Sequence, residues 1–295
     1  LEEKYPKESI DYFGVDVPTF ERMPEMPIRA VTANRMWLMK EEMKRLGYDK
    51  IPIIHTESYY PSSHPLGLGP RIAADYWIRT AVLSVALGST RLANCFGLED
   101  CSGYWGSQHY GCIGAIGRRP EFNPKPAFPA YATMTRLLDL VEFDGYVPCG
   151  SISAYCVRFK NQNTAQKDRP WIYCLWTLRG TRPATVEFAQ PGKTVRVDEN
   201  GNEFDLTLSS NKAQLVLAQT PFWIVSDQVI TNIALGTPVY TEKPGQYTKV
   251  LDKLDHLWTY DPGVHVAYAS NHWDMLRVPG PVKAQIVDSP ERKAK

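Results

Sequence analysis

The sequence predicts an α/β domain built on a parallel sheet, followed by an antiparallel β-sandwich. The chain has 295 residues, enough for two domains with buried cores. Residues 1–145 alternate strand-like and helix-like patterns three times. Residues 146–246 contain short strand-like runs separated by turn signals. Residues 247–295 are not assigned to either domain, and we expect a strap or the start of a further domain there.

The first domain is predicted from hydrophobic periodicity. Its elements are a strand at 10–17, a helix around 36–46, a strand at 51–56, a helix at 71–87, a strand at 92–98 and a helix at 127–141. Gly47 is expected to end the first helix as its C-cap. The continuously apolar run at 51–56 is typical of a parallel strand that is buried on both faces.

The second domain is predicted from β-branched and aromatic runs. Its strands are expected at 152–159, 171–178, 184–188, 194–197, 204–208, 213–217 and 222–225. Asn200-Gly201 is suited to the positive φ angles of a hairpin turn. Short strands at this spacing indicate antiparallel pairing in a sandwich.

Charge and composition exclude several functions. The chain has 33 Lys and Arg against 32 Asp and Glu, a net charge of +1, which argues against a nucleic-acid or anionic-membrane partner. No apolar run reaches the roughly 18–20 residues of a membrane span. The histidines are widely spaced and no cysteine pair has metal-ligand spacing, so we expect no metal site. The 8 Trp and 16 Tyr pack in cores or line a groove for a sugar ring.

The six cysteines leave the cellular compartment open. Cys95, Cys101 and Cys112 are close enough in sequence for one disulfide within a loop. Cys156 and Cys174 lie in apolar strand-like runs, where buried free thiols are at least as well supported.

The most specific chemical feature lies at the end of the second predicted strand. The run IPIIHTESYY presents Glu57 as the chain leaves the sheet, with His55 before it and Tyr59 and Tyr60 after it. In parallel α/β folds the carboxyl ends of the strands form the reactive face. A carboxylate there, beside hydrogen-bond donors and aromatic rings, fits nucleophilic attack on a sugar anomeric carbon. Alternatively, Glu57 caps the next loop.

This run, followed after a loop by RIAADYWIRTAVLSVALG, resembles the seventh strand and helix of the (β/α)8 glycoside hydrolases of the large retaining clan. Within that clan it is most similar to the β-xylosidase and α-iduronidase type. The resemblance spans about residues 10–240 and implies the last three strand–helix units of a barrel, with Glu57 as the nucleophile. The segments VDENGNEF and LVLAQTPFWIV look like the β-sandwich that often trails such barrels.

The same resemblance implies the substrate-binding residues. The segment 94–100 is similar to the eighth strand and its loop, which makes Asp100 the acid that accepts sugar hydroxyls. Phe96 stands where the clan commonly has a tryptophan platform, so either Trp105 takes over the stacking or the sugar site is altered. The full expected set is His55, Tyr59, Tyr60, Asp100 and Trp105.

The sequence departs from the clan in two places that bear on mechanism. The sixth strand would end in Asp16-Val17-Pro18, without the expected histidine. The first five barrel units have no counterpart, and neither does the Asn-Glu pair that supplies the general acid/base. We therefore expect a C-terminal part of a longer enzyme whose upstream barrel half completes the fold.

The predicted activity is retaining hydrolysis of an oligo- or polysaccharide without a metal or organic cofactor. The alternative is a non-catalytic carbohydrate-binding or cell-surface protein on a degenerate barrel. The chain begins at Leu1 without a methionine, so we expect either a removed leader or a start inside a longer protein. A polymeric substrate favours a secreted or periplasmic location.

Overall fold

The structure is a computed structural model of the 295-residue chain. It describes residues 7–16, 23–25, 32–62, 69–94, 98–100, 113–117, 122–178 and 180–239. The chain divides into two compact units, Leu1–Tyr131 and Ala132–Lys295. The predicted boundary near residue 145 stays a prediction, and the strap or further domain expected at 247–295 lies outside the described residues.

The first unit is built around a three-stranded parallel sheet. Its elements are β1 (Phe13–Asp16), α1 (Thr32–Arg45), β2 (Ile53–Ser58), α2 (Pro70–Ala86), β3 (Ser89–Asn94) and the start of α3 (Ala127–Leu138). The strand order is β1-β2-β3, with β2 in the centre and parallel pairing on both of its sides. The predicted parallel arrangement of three strands is confirmed.

The end of α1 follows the predicted capping. Gly47 has φ 75° and its N–H donates to the carbonyl of Lys44 at 3.1 Å, while the N–H of Tyr48 donates to the carbonyl of Met43 at 2.7 Å. These two hydrogen bonds satisfy carbonyls that have no hydrogen-bond partner within the last turn of the helix. Glycine adopts the left-handed conformation without a steric penalty.

The two faces of the parallel sheet differ in burial. Val15 and Ile53 are buried in one hydrophobic cluster with Met36 and Met43 of α1. Gly14 in β1 and Thr56 in β2 are exposed. Because side chains alternate along a strand, α1 covers one face, and the other face is open within the described residues.

Several predicted boundaries of the first domain are wrong. The first strand begins at Phe13 rather than Ile10. The third strand begins at Ser89 rather than Leu92, directly after Gly88, which has φ 90°. The third helix ends at Leu138 and does not include Val141, which begins a strand instead. Leu140 has φ 52°, so the helical backbone stops before Val141.

The second unit contains two antiparallel sheets. Its strands are β4 (Val141–Tyr146), β5 (Ala154–Asn161), β6 (Trp171–Thr177), β7 (Arg182–Phe188), β8 (Thr194–Val197), β9 (Glu203–Asp205), β10 (Lys212–Leu217), β11 (Phe222–Ser226) and β12 (Ile230–Leu235). One sheet has the order β4-β5-β6-β11-β8-β9 and the other β10-β7-β12. The seven strands predicted between residues 152 and 225 are confirmed, with shifted ends.

Side chains from both sheets form one hydrophobic cluster. Tyr173, Leu175 and Ile224 of the six-stranded sheet share it with Val186 and Phe188 of the three-stranded sheet. All five are fully buried. This shared core accounts for the run of apolar and aromatic residues along these strands.

Several local predictions are also settled. Gly201 has the predicted positive φ, 87°, in the turn between β8 and β9, whereas Asn200 does not have a positive φ. Cys149, Cys156 and Cys174 are buried free thiols, while Cys95, Cys101 and Cys112 lie outside the described residues. No helix within the described ranges has the length and apolar character needed to cross a bilayer.

Candidate active site

Glu57 is the penultimate residue of β2, the central strand of the parallel sheet. In the pairing with β1, Val15 lies opposite His55 and Asp16 lies opposite Glu57. Thr56 is therefore an additional residue in β2, which defines a β-bulge directly before Glu57. Bulges bend a strand and redirect the side chains that follow, and they are enriched next to active sites.

The register also brings a second carboxylate to the same end of the sheet. Asp16 is exposed and Glu57 is partly buried. Asp16 was noted in the sequence only because it stands where a histidine was expected. Its position opposite Glu57 follows from the bulge, which sequence patterning does not reveal.

His55 contacts the helix that follows its strand. Its side chain is fully buried, and Nδ1 lies 3.1 Å from the hydroxyl oxygen of Ser84 in α2. Its backbone N–H donates to the hydroxyl of Ser89 at 3.2 Å. Burial lowers the pKa of His55 to about 4, against the opposing effects of the Glu57 backbone and the Asp16 charge, so His55 is neutral at physiological pH.

Tyr59 and Tyr60 are each 1% exposed. The Tyr60 hydroxyl lies 2.5 Å from the hydroxyl oxygen of Thr80, and its ring meets the ring of Tyr76 edge to face at 5.5 Å. Both contacts are to α2. Tyr60 therefore anchors the segment after Glu57 to α2, as His55 anchors the segment before it.

Asp100 takes part in a polar cluster that joins two loops. Lys125 Nζ lies 2.5 Å from Asp100 Oδ1 and donates to the hydroxyl of Ser62 at 2.7 Å. The N–H of Gly114 donates to the same Asp100 oxygen at 2.9 Å. A Cβ at Gly114 would lie 2.4 Å from the Glu99 carbonyl carbon, so only glycine fits there. Ser62 follows β2 and Asp100 follows β3, so the cluster links the segments beyond both strands.

A buried ion pair lies nearby and was not predicted. Arg79 Nε in α2 lies 2.7 Å from Glu25 Oε1, and both side chains are 1% exposed. The Arg79 guanidinium also lies over the Tyr76 ring at 5.2 Å from its centroid. The sequence signal for this pair is Arg79 itself, because a charged residue inside the apolar run RIAADYWIRTAVLSVALG needs a buried partner.

Trp105 lies outside the described residues, as does Phe96. Within the described residues, no group of three or more His, Cys, Asp or Glu side chains could hold a metal ion. The described charged groups of the candidate site are the carboxylates of Glu57, Asp16 and Asp100 and the ammonium group of Lys125. Such groups can bind sugar hydroxyls, and a carboxylate can attack an anomeric carbon.

No protein-family model and no curated protein matches the chain. Among solved structures, a family 39 glycoside hydrolase from the gut symbiont Bacteroides cellulosilyticus WH2 aligns with a TM-score of 0.59 at 20% identity, covering 74% of this chain. A glucosidase from Croceicoccus marinus aligns with a TM-score of 0.43 at 8% identity, covering 73% of this chain and 53% of its own.

The family 39 structure establishes a shared fold. The described chain is a mixed helix and sheet protein with a glycoside-hydrolase-like fold. The chain spans 45% of the length of that structure.

Proposed function

We propose that the chain is the C-terminal part of a retaining glycoside hydrolase in which Glu57 is the nucleophile. The observation that carries the proposal is the position of Glu57 at the carboxyl end of a central parallel strand, directly after a β-bulge. That end of a parallel sheet is where (β/α)8 enzymes place their reactive groups. The glycoside-hydrolase-like fold supports the same assignment.

In this proposal β1, β2 and β3 are the last three strands of a (β/α)8 barrel, and the two antiparallel sheets form the β-sandwich that follows it. The exposed sheet face at Gly14 and Thr56 supports the barrel, since a barrel strand alternates between a helix-covered face and an interior face. The upstream barrel half would cover this face in the full-length protein. The family type proposed is the β-xylosidase and α-iduronidase type.

The reaction would proceed by double displacement on an oligo- or polysaccharide. A Glu57 oxygen attacks the anomeric carbon and forms a covalent glycosyl ester as the bond to the leaving oxygen breaks. The leaving oxygen takes a proton from an acid supplied by the upstream sequence. That same group, now a base, removes a proton from water, and the water oxygen displaces Glu57 with net retention. No metal or organic cofactor takes part.

The remaining residues of the proposed site shape the sugar pocket. Trp105 would stack against the sugar, and Asp100 would accept hydrogen bonds from sugar hydroxyls. Tyr59 and Tyr60 are each 1% exposed, so they would shape the pocket through the backbone that they hold in place. His55 and Tyr60 are held by α2, so in this proposal they act chiefly by fixing the backbone on both sides of Glu57. Asp100 is already held by Lys125, which keeps one carboxylate oxygen in place.

Chemical rescue tests the proposal in the full-length protein. Glu57→Ala should lower kcat on an aryl glycoside at least about a thousandfold, because a covalent nucleophile is lost. Sodium azide should restore release of the aryl group and yield a glycosyl azide of inverted configuration. Glu41→Gln, which changes an exposed carboxylate of α1, is the matched control and should retain full activity. Full activity of Glu57→Ala would contradict the proposal.

A further inference from the structure

The second unit contains a pocket that the proposed hydrolase site does not use. It has a volume of about 650 Å³ and is lined by the segment between β4 and β5 and by Arg182 at the start of β7. This volume is within the range of small-molecule pockets. Every residue that lines it belongs to the second unit.

Arg182 is the charged residue of this lining, and within the described part of the chain no carboxylate contacts it. Its Nη1 donates to the hydroxyls of Ser151 at 2.7 Å and Ser153 at 3.2 Å. Its Nε is buried and has no hydrogen-bond partner among the described residues. The guanidinium therefore brings a positive charge to the pocket with only neutral hydroxyls bound to it. A partly desolvated guanidinium in this setting favours an anion.

The other groups that line the pocket do not provide a negative charge to pair with Arg182. Cys149 donates to the carbonyl of Val147 at 3.4 Å, and burial raises the pKa of its thiol to about 11, although Arg182 acts in the opposite direction. The thiol is therefore neutral at physiological pH. The Ser151 hydroxyl accepts from Arg182 and from the N–H of Ser153 at 3.3 Å, and its oxygen lies 3.0 Å from the hydroxyl oxygen of Ser153, so it is a neutral group held within the protein.

Two tyrosines give the pocket apolar walls. Tyr155 stacks in parallel on Trp176, with ring centroids 4.9 Å apart, which fixes its orientation. Tyr146 is 48% exposed. An apolar wall beside a cation and a hydroxyl suits a compact ring that carries one negative group.

We propose that this pocket binds a monosaccharide-sized carboxylate, with the carboxylate on the Arg182 guanidinium and the ring against Tyr146. A guanidinium carries five N–H donors in a planar arrangement, which matches the geometry of a carboxylate. This binding site is independent of Glu57, so it does not depend on the proposed hydrolase activity.

Titration with glucuronate, glucose and inorganic phosphate tests the proposal, with amide chemical shifts and calorimetry as readouts on the 295-residue chain. Glucuronate should shift amide signals of residues 147–156 and 182. Glucose, its uncharged counterpart, should bind at least about tenfold more weakly, as expected when a charged hydrogen bond is lost. Glu57→Gln should leave glucuronate binding unchanged.

Two variants test whether Arg182 and Tyr146 contact the bound glucuronate. Arg182→Gln should weaken glucuronate binding at least about tenfold. Tyr146→Ser changes an exposed ring, so it remains informative if Arg182→Gln does not fold, and it should also weaken binding. The proposal is overturned if glucose or phosphate binds as tightly as glucuronate, if glucuronate shifts signals elsewhere, or if it shifts none.

Discussion

Arg79 of α2 and Glu25, which lies in the short described segment after β1, form an ion pair from which water is excluded. The Nε–Oε1 distance is 2.7 Å and each side chain is 1% exposed. Burial is the largest single effect on the pKa of Arg79 and lowers it, but the charges of Glu25, Tyr76 and Asp75 and the hydrogen bond to Glu25 together raise the pKa above its ordinary value. The pair ties the segment after the first strand to the helix that follows the second.

Removing one partner of this pair should be costly. Arg79→Met leaves the Glu25 carboxylate buried without its cation, so we expect the free energy of unfolding to fall by about 3–5 kcal/mol. Urea denaturation followed by tryptophan fluorescence measures it. The matched control is Glu42→Gln, which breaks the solvent-exposed pair with Arg45 and should cause no measurable change. Equal effects of the two variants would contradict the role assigned to Arg79.

His55 predicts a pH dependence of stability. Its pKa is about 4 in the folded state, below the ordinary 6.5, so the unfolded chain takes up the proton first as the pH falls. Stability should therefore decrease from about pH 6.5 to about pH 4, by about 3 kcal/mol in total. Denaturation across this range should give a flatter profile for His55→Gln than for the parent. Parallel profiles would show that His55 is not the group responsible.

The bond between Tyr60 and Thr80 is suited to a double-mutant cycle. Tyr60→Phe and Thr80→Val each leave a buried hydroxyl without this partner, and each should lower stability by about 1–2 kcal/mol. The double variant should lose less than the sum of the two. Thr135→Val, at an exposed position of α3, serves as the control and should change stability by less than about 0.5 kcal/mol. Additive losses would argue against the bond.

Gly114 is expected to tolerate no side chain. Gly114→Ala would place Cβ 2.4 Å from the Glu99 carbonyl carbon, so the backbone before Asp100 must shift, at a cost of about 1–3 kcal/mol. At Gly117 the nearest atom to the new Cβ is the carbonyl oxygen of Asn123 at 3.4 Å, so Gly117→Ala should be nearly neutral. Thermal unfolding of the two variants compares them directly, and similar melting temperatures would refute the steric argument.

Much of the fold follows from patterns that the sequence shows locally. Gly47 marks the end of α1, and the apolar run at 51–56 identifies the central parallel strand. The strand β4 was missed because Glu142, Asp144 and Gly145 interrupt its apolar pattern. In the structure Asp144 pairs with Arg158 and Lys160 of the neighbouring strand, which makes a charge acceptable there. The strand β12 was missed for a similar reason, since Thr231 and Asn232 are exposed.

The candidate site was predictable only in part. Glu57 was identified because it ends a buried strand, which is a local signal. The bulge at Thr56 and the position of Asp16 opposite Glu57 depend on pairing between distant segments, which no single-strand pattern encodes. The same holds for Lys125, which contacts Asp100 and Ser62. The segment that contains Lys125 shows no catalytic or binding motif in the sequence.

Covalent labelling tests the assignment of Glu57 most directly. A 2-deoxy-2-fluoro glycoside with a dinitrophenyl leaving group forms the glycosyl ester without help from an acid, and the fluorine slows its hydrolysis. After incubation with the full-length protein and proteolysis, mass spectrometry should find the fluorosugar on the peptide that contains Glu57, and Glu57→Gln should not be labelled. A label on another carboxylate, with the Glu57 peptide unmodified, would contradict the account.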